Sequence, residues 1–222
     1  MKISKSEATA TKILDAALAL FEEQGFEVAT MRAIAERAGV ATGAAYYYYA
    51  SKDAIILDFY QRSCEQMQEK LSLALANVAS LETGLHDLIT VKLTHFAPHR
   101  DVLRALLRNG ADPKHPLSPF SAETKPIRDL DIGWFQHAIK QSRVNVPRDL
   151  ASYLPGLLWF FQMGIILFWV TDDSPDQART KKLLPLSCKL VASLVRFSSL
   201  PLMRPLRKPL LELIEIVVGT EQ

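Results

Sequence analysis

Apolar residues recur at three- and four-residue spacing along nearly the whole chain, and no clear run alternates with period two, so the pattern predicts an all-α protein. A first helix is expected over about residues 6–24, with Ile13, Ala17, Leu20 and Phe21 as its apolar stripe and Gly25 as its stop. Phe26 and Val28 should then plug into a small N-terminal core. Thr30 is a good N-cap for the next helix, and Ile34 and Ala38 fall on one of its faces. Gly39 follows as a residue free to take positive φ, Val40 re-enters the core, and a second short helix runs from Ala41 to Tyr48. Ser51 caps a long helix with Asp53 in its first turn. That helix reaches about residue 78, with Ile56, Tyr60, Ser63, Met67, Leu71, Ala74 and Val78 inward. At roughly 40 Å it is long enough to connect an N-terminal module to the remainder. Further helices are expected near 82–97, 99–109, 121–142, 148–172, 174–199 and 203–217. Pro113, Pro116 and Pro119 make the loop at 111–119 irregular, and Ser174-Pro175 reads as a helix start.

Two short helices joined at a glycine make a helix-turn-helix, whose second helix enters the DNA major groove. The residues then carry a resemblance. Met31 to Lys52 is similar to the DNA-binding segment of TetR/AcrR-type transcriptional regulators. The usual pattern there is Thr-x-Arg-x-Ile-Ala-x-x-Ala-Gly-Val, followed by x-x-Gly-x-x-Tyr-x-Tyr-Phe-x-x-Lys. It stands here as Thr30, Arg32, Ile34, Ala35, Ala38, Gly39, Val40, Gly43, Tyr46, Tyr48, Tyr49 and Lys52. The motif covers about residues 6–60; beyond it only the helical layout and length are similar.

The resemblance implies an N-terminal three-helix DNA-binding domain over residues 1–52 and a helical ligand-binding and dimerisation domain over 53–222. It implies DNA contacts from Thr30, Arg32, Thr42, Gly43, Ala44, Tyr46, Tyr47 and Lys52. Tyr46 and Tyr47 would reach phosphates or sugars. Tyr49 takes the place of the usual core Phe and should be buried, with Tyr48 at the edge. Four adjacent positions sweep about 300° round a helix, so all four rings cannot face DNA. Lys52 would bring its ammonium, and Thr30 a helix N-terminus, to the phosphate backbone, which positions without specifying. Arg32 is the candidate for base readout, because a guanidinium can bond guanine O6 and N7. Thr42, Ala44 and Ala45 depart from the usual residues. They leave the recognition helix poor in hydrogen-bonding groups, which favours a share of indirect readout.

Composition adds limits. With 49% hydrophobic and 23% charged residues, the chain is a packed globular protein rather than a disordered one. The net charge is only +2. Residues 1–52 balance six basic side chains (Lys2, Lys5, Lys12, Arg32, Arg37, Lys52) against six acids (Glu7, Asp15, Glu22, Glu23, Glu27, Glu36). A DNA reading therefore rests on where charges sit. Cys64 and Cys188 lack metal-type spacing and read as small buried hydrophobes. The polar opening Met1 to Ala10 carries no secretory signal, so a reducing cytoplasm is expected. Leu154 to Val170 is apolar for 17 residues, but Pro155 and Gln162 interrupt it and Asp172 and Asp173 follow, so a buried helix is expected rather than a membrane span.

In the C-terminal region the resemblance implies a homodimer and a ligand pocket. The helices at 148–172 and 174–199 are apolar enough for a four-helix seam, with Trp159, Phe160, Met163, Phe168, Val191 and Leu194 as interface candidates. Trp159, Phe160, Phe161, Met163, Phe168 and Trp169 would divide between seam and core. His95, Arg104, Trp134, His137, Tyr153 and Gln162 are candidates to line the pocket. The aromatic and methionine content points to an apolar or aromatic effector. His95 and His99 lie four apart, but Pro98 intervenes and no third ligand is near, so no metal is expected. No Ser-His-Asp set, P-loop, dinucleotide glycine motif or paired-Cys motif occurs, so neither a cofactor nor an enzyme is expected. The sequence-level conclusion is a ligand-responsive regulator, most simply a homodimeric repressor on a palindromic double-stranded operator. The rival is a helical small-molecule or lipid-binding protein whose helix-turn-helix does not bind DNA.

Overall fold

The computed structural model describes residues 4–109 and 112–218, the side chains of residues 108, 109, 204, 206, 210, 214, 215, 217 and 218 apart. The described residues form the helices α1 (Lys5–Gln24), α2 (Met31–Ala38), α3 (Thr42–Tyr48), α4 (Lys52–Ala74), α5 (Leu81–Phe96), α6 (Arg100–Asn109), α7 (Lys125–Ser142), α8 (Leu154–Thr171), α9 (Ala178–Ser198) and α10 (Arg204–Val218), with no strand among them. The fold is all-α, as the periodicity predicts. Four boundaries differ by four residues or more, one of them the start of α9, at Ala178 rather than 174 after a 3-10 turn over Pro175–Gln177. α4 ends at Ala74 rather than 78, and Ser80 caps α5 by accepting the Thr83 N–H at 3.2 Å. α7 starts at Lys125 rather than 121, because serine and threonine side chains capture the preceding backbone. Ser121 donates to the Pro116 carbonyl at 2.9 Å and Thr124 to the Ser118 carbonyl at 2.6 Å. α8 starts at Leu154 rather than 148, after turns in which Leu150 and Ala151 both donate to the Pro147 carbonyl.

The chain divides into two compact units, one of Met1–Gln66 with His95–Asp129, the other of Met67–Thr94 with Leu130–Gln222. In the first, Ile13, Ala17 and Phe21 of α1 meet Ile34 and Ala35 of α2, Ala45 of α3, and Ile55, Ile56 and Phe59 of α4. Val102 and Leu106 of α6 and Leu117 complete this core. Each large aliphatic side chain so buried contributes about 1.5–3 kcal/mol, which lets α2 and α3 persist although both are too short to be stable alone. Ser4 and Glu7 form a reciprocal capping box at the start of α1. Val28 corrects an expectation: it is 64% exposed. Gly25, at φ 87°, ends α1, and the turn after it sends Phe26 and Ala29 inward and the intervening Val28 out.

In the second unit Leu158, Trp159, Ile165, Trp169 and Val170 of α8 are buried, as are Leu184, Cys188 and Val195 of α9. α8 is the one helix among the described residues long and apolar enough to cross a membrane; nearly half of it is buried inside the protein, and it packs against α9 as a core helix. Buried Asp172 joins the two helices. It accepts bonds from the N–H and hydroxyl of Thr180 and from the N–H and hydroxyl of Ser174. Burial alone would raise its pKa, but the bonds from Thr180 and Ser174 outweigh it and hold the carboxyl well below the aspartate range. Of the two cysteines, Cys188 is fully buried, and burial, helped by the charges of Glu82 and Asp87, pushes its thiol up to about 12. Cys64 is only half-buried, so the expectation of two buried cysteines holds for one.

Candidate nucleic-acid interface

Thr30 opens α2, and its hydroxyl accepts the Ala33 N–H at 3.1 Å. α2 closes at Gly39, which takes φ 68° and ψ 34°, the left-handed region that strains any side chain. The Gly39 and Val40 N–H groups then satisfy the Glu36 and Ala35 carbonyls at 3.1 and 3.0 Å. Arg37 pins α2 to the end of α1 through two bonds to Glu23, at 2.5 and 2.6 Å. The result is a helix-turn-helix with a tight joint.

Its outward face carries most of the expected DNA residues. Arg32, Thr42 and Gly43 are exposed, as is Thr30. Tyr46 is 53% and Tyr47 83% exposed, Tyr48 is half-buried, and Tyr49 is 6% exposed. Tyr46, Tyr47 and Tyr48 divide along the pitch of α3, and Tyr49, just past its end in extended backbone, turns into the core. A phenol held that far into solvent offers a donor at the tip of a rigid arm, suited to a phosphate oxygen. Ala44 is half-buried between Ala45, in the core, and Gly43. At Gly43 an added Cβ would meet nothing within 4 Å, so the interior makes no demand for glycine there.

Lys52 departs from expectation. Its ammonium donates to the carbonyls of Phe26 at 2.6 Å and Glu27 at 3.2 Å, and lies 4.7 Å from the centre of the Phe26 ring. It clasps the turn between α1 and α2. No sequence signal pairs positions 26 and 52.

The six candidate pocket residues fall in both units. His95 and Arg104 belong to the first, and Trp134, His137, Tyr153 and Gln162 to the second. Trp134 and His137 pack edge to face, with ring centres 6.4 Å apart. Gln162 is 1% exposed and held at both ends of its amide: its oxygen accepts from Lys92 at 2.6 Å and its nitrogen donates to Asp131 at 2.7 Å. Lys92 also pairs with Asp131 and lies 5.1 Å from the centre of the Phe135 ring. This triad across α5, α7 and α8, buried at Lys92 and Gln162 and half-buried at Asp131, escaped the sequence reading. The signal was Lys92 itself, within a helix otherwise buried through Leu85, Leu88 and Ile89.

Among the seam candidates, Phe160 is 41% and Leu194 56% exposed, and Met163, Phe168 and Val191 are half-buried. Trp159 is corrected: at 4% exposure it belongs to the core, its ring edge-on to Phe160. Outward apolar residues that sequence reasoning missed are Leu167 of α8 and Leu186, Leu190 and Phe197 of α9. Leu186, Leu190 and Leu194 recur every four residues, the spacing of a single helical face.

Known proteins agree with this layout. Residues 13–59 match the model of the bacterial regulatory proteins of the tetR family, and residues 85–211 that of the tetracyclin repressor-like C-terminal domain. The transcriptional repressor KstR2 of Rhodococcus jostii is 30% identical over 159 residues, which are 67% of this chain and 76% of that protein. The HTH-type transcriptional regulator YxbF of Bacillus subtilis is 26% identical over 173 residues, which are 76% of this chain and 41% of that protein. The chain spans less than half the length of several curated relatives it matches. The solved structure of the transcriptional regulator FadR from Bacillus subtilis shares the fold, with a TM-score of 0.63 at 19% identity over 82% of this chain and 97% of that one. With the capped α2, the left-handed Gly39 and the outward tyrosines on one side and both family matches on the other, the chain belongs to the TetR family of transcriptional regulators.

Proposed function

We propose that the protein is a cytoplasmic homodimeric repressor that holds a palindromic operator and leaves it when a small apolar or aromatic effector binds. The observation that carries this reading is the outward face of the helix-turn-helix, where Arg32, Thr42, Gly43, Tyr46 and Tyr47 stand in solvent. Thr30 and Ala44 flank that face. Residues 1–52 act as the DNA module and the remainder as the sensing and dimerising part. Arg32 reads a base; Tyr46 and Tyr47 hold phosphates. The outward apolar residues of α8 and α9 support a seam between two copies, since such a stripe is costly to leave in water. A two-fold dimer presents two recognition helices to two half-sites.

The effector class is supported by what related folds hold. Structures of FadR from Bacillus subtilis and from Thermus thermophilus carry stearoyl-CoA and lauroyl-CoA, and that of SmeT carries triclosan. Apolar chains and aromatic rings both fit the reading made from the aromatic and methionine content, with Trp134, His137, Tyr153 and Gln162 of the second unit as lining candidates. In this reading an effector engages Gln162 by displacing Lys92 or Asp131 from it.

The test is binding to duplex DNA from upstream of the protein's own gene, titrated at several salt concentrations. With roughly three to five phosphates held per subunit, log affinity should fall against log salt with a slope of about −5 to −9. A slope near zero, or equal affinity for random duplexes, overturns the reading and favours a ligand carrier.

A further inference from the structure

The recognition helix has few anchors of its own. α3 is seven residues long, its N-cap Ala41 makes no side-chain bond, and Ala45 is its one buried residue. Its orientation is set by the joint at its start, where Val40 packs against the core, and by the residues at its C-terminal end. Tyr49 comes directly after it, in extended conformation, its N–H on the Ala45 carbonyl at 2.9 Å and its ring in the core. The family pattern places a phenylalanine here, so the hydroxyl is an addition of this chain. That hydroxyl donates to Oδ2 of Asp58 on α4 at 2.5 Å, and the Ala10 carbonyl of α1 lies 3.3 Å from it. The same carboxylate oxygen accepts Nε of Arg62 at 2.8 Å, and the other end of that guanidinium donates to the Thr11 hydroxyl of α1 at 2.8 Å. A run of charge-assisted bonds thus ties the end of α3 to α4 and α1.

We infer that the Tyr49 hydroxyl, through Asp58 and Arg62, is a positioning device that fixes the angle at which α3 meets DNA. It touches no DNA itself. Bonds to a carboxylate are short and directional, and a network whose members share one oxygen resists rotation better than ring packing alone. A ring in the core can swivel within its cavity; a ring whose hydroxyl is bonded to a second helix cannot. The inference rests on α3 being the DNA-facing helix, as proposed above.

Tyr49→Phe removes one oxygen and leaves the residue the family pattern carries, so the variant should fold. It should keep wild-type helical content and oligomeric state, and bind operator DNA about tenfold more weakly. Because no phosphate contact is lost, its salt slope should equal that of the wild type. Asp58→Asn should weaken binding in the same way. Combining the two should cost little more than either alone, since they break one linkage. A purely structural role would lower the melting temperature and leave the affinity of the folded protein unchanged; that result overturns the inference. So does wild-type affinity for Tyr49→Phe, and so does a slope reduced by about one per subunit, which would mean direct phosphate contact. If the wild-type protein itself does not distinguish operator from random duplex, the DNA reading fails and this inference falls with it.

Discussion

The ammonium of Lys52 lies 2.6 Å from the carbonyl oxygen of Phe26, so the first residue of α4 holds the turn that leads into α2. Two carbonyls and an aromatic face share this one cation. Lys52→Met should therefore act first on the fold. A charge-assisted bond of about 1.5–3 kcal/mol corresponds to a melting temperature lower by roughly 3–10 °C in a chain of this size. The salt slope of DNA binding should stay the same. A slope shallower by about one per subunit, with unchanged melting, would place the ammonium on phosphate instead.

Gly43 separates stability from function in the opposite direction. Its surroundings leave room for a Cβ, and alanine is the better helix former. Gly43→Ala should raise stability by about 0.5–1 kcal/mol in thermal or urea unfolding. Operator affinity should nevertheless fall, because the added methyl stands on the face that carries Tyr46 and Tyr47. Unchanged or tighter DNA binding would remove Gly43 from the interface.

Arg32→Ala and Tyr47→Phe distinguish reading from holding. Loss of Arg32 should cost about 1–3 kcal/mol and relax preference at one base pair per half-site. Loss of the Tyr47 hydroxyl should weaken all sequences equally. Both side chains are exposed, so circular dichroism should be unchanged. Titration of each variant against a panel of operator substitutions decides; the reverse pattern would exchange the two roles.

Leu190 is 60% exposed at the centre of the stripe formed with Leu186 and Leu194. Leu190→Asp should leave the fold of each subunit intact and disrupt the seam. Light scattering should show the wild type at twice the 24.9 kDa subunit mass and the variant at one. Identical masses for the two proteins would move the seam elsewhere or dismiss it.

Asp172 makes stability depend on acid. Its folded-state pKa lies below the ordinary aspartate value of 3.8, so its contribution is fully present above that value and is lost as pH falls through the folded pKa. Asp172→Asn loses acceptor capacity toward Thr180 and Ser174. It should melt lower than the wild type at pH 7, and the gap should narrow steadily below about pH 4. A gap independent of pH would mean that the charge of Asp172 contributes nothing.

What the sequence determined by itself was local. Thr30 as a cap, Gly39 as a left-handed stop and the fan of Tyr46 to Tyr48 arise from bonds and pitch within a few residues, so their spacing is legible in one dimension. The same locality made the helices countable and the family pattern visible. What only the tertiary structure decided was which partner each side chain meets. Val28 and Trp159 are apolar on helices or turns with more than one candidate face, and the packing of neighbours sent one out and the other in. Lys52 reaches back 26 residues to Phe26, Tyr49 forward nine to Asp58, and Lys92 across 39 to Asp131 and 70 to Gln162. A buried or half-buried polar group must find a partner, but the chain between the two can be of any length, because closing a longer loop costs only slightly more entropy. Periodicity carries no record of such pairs, and so the contacts that orient the recognition helix appear only once the helices are packed.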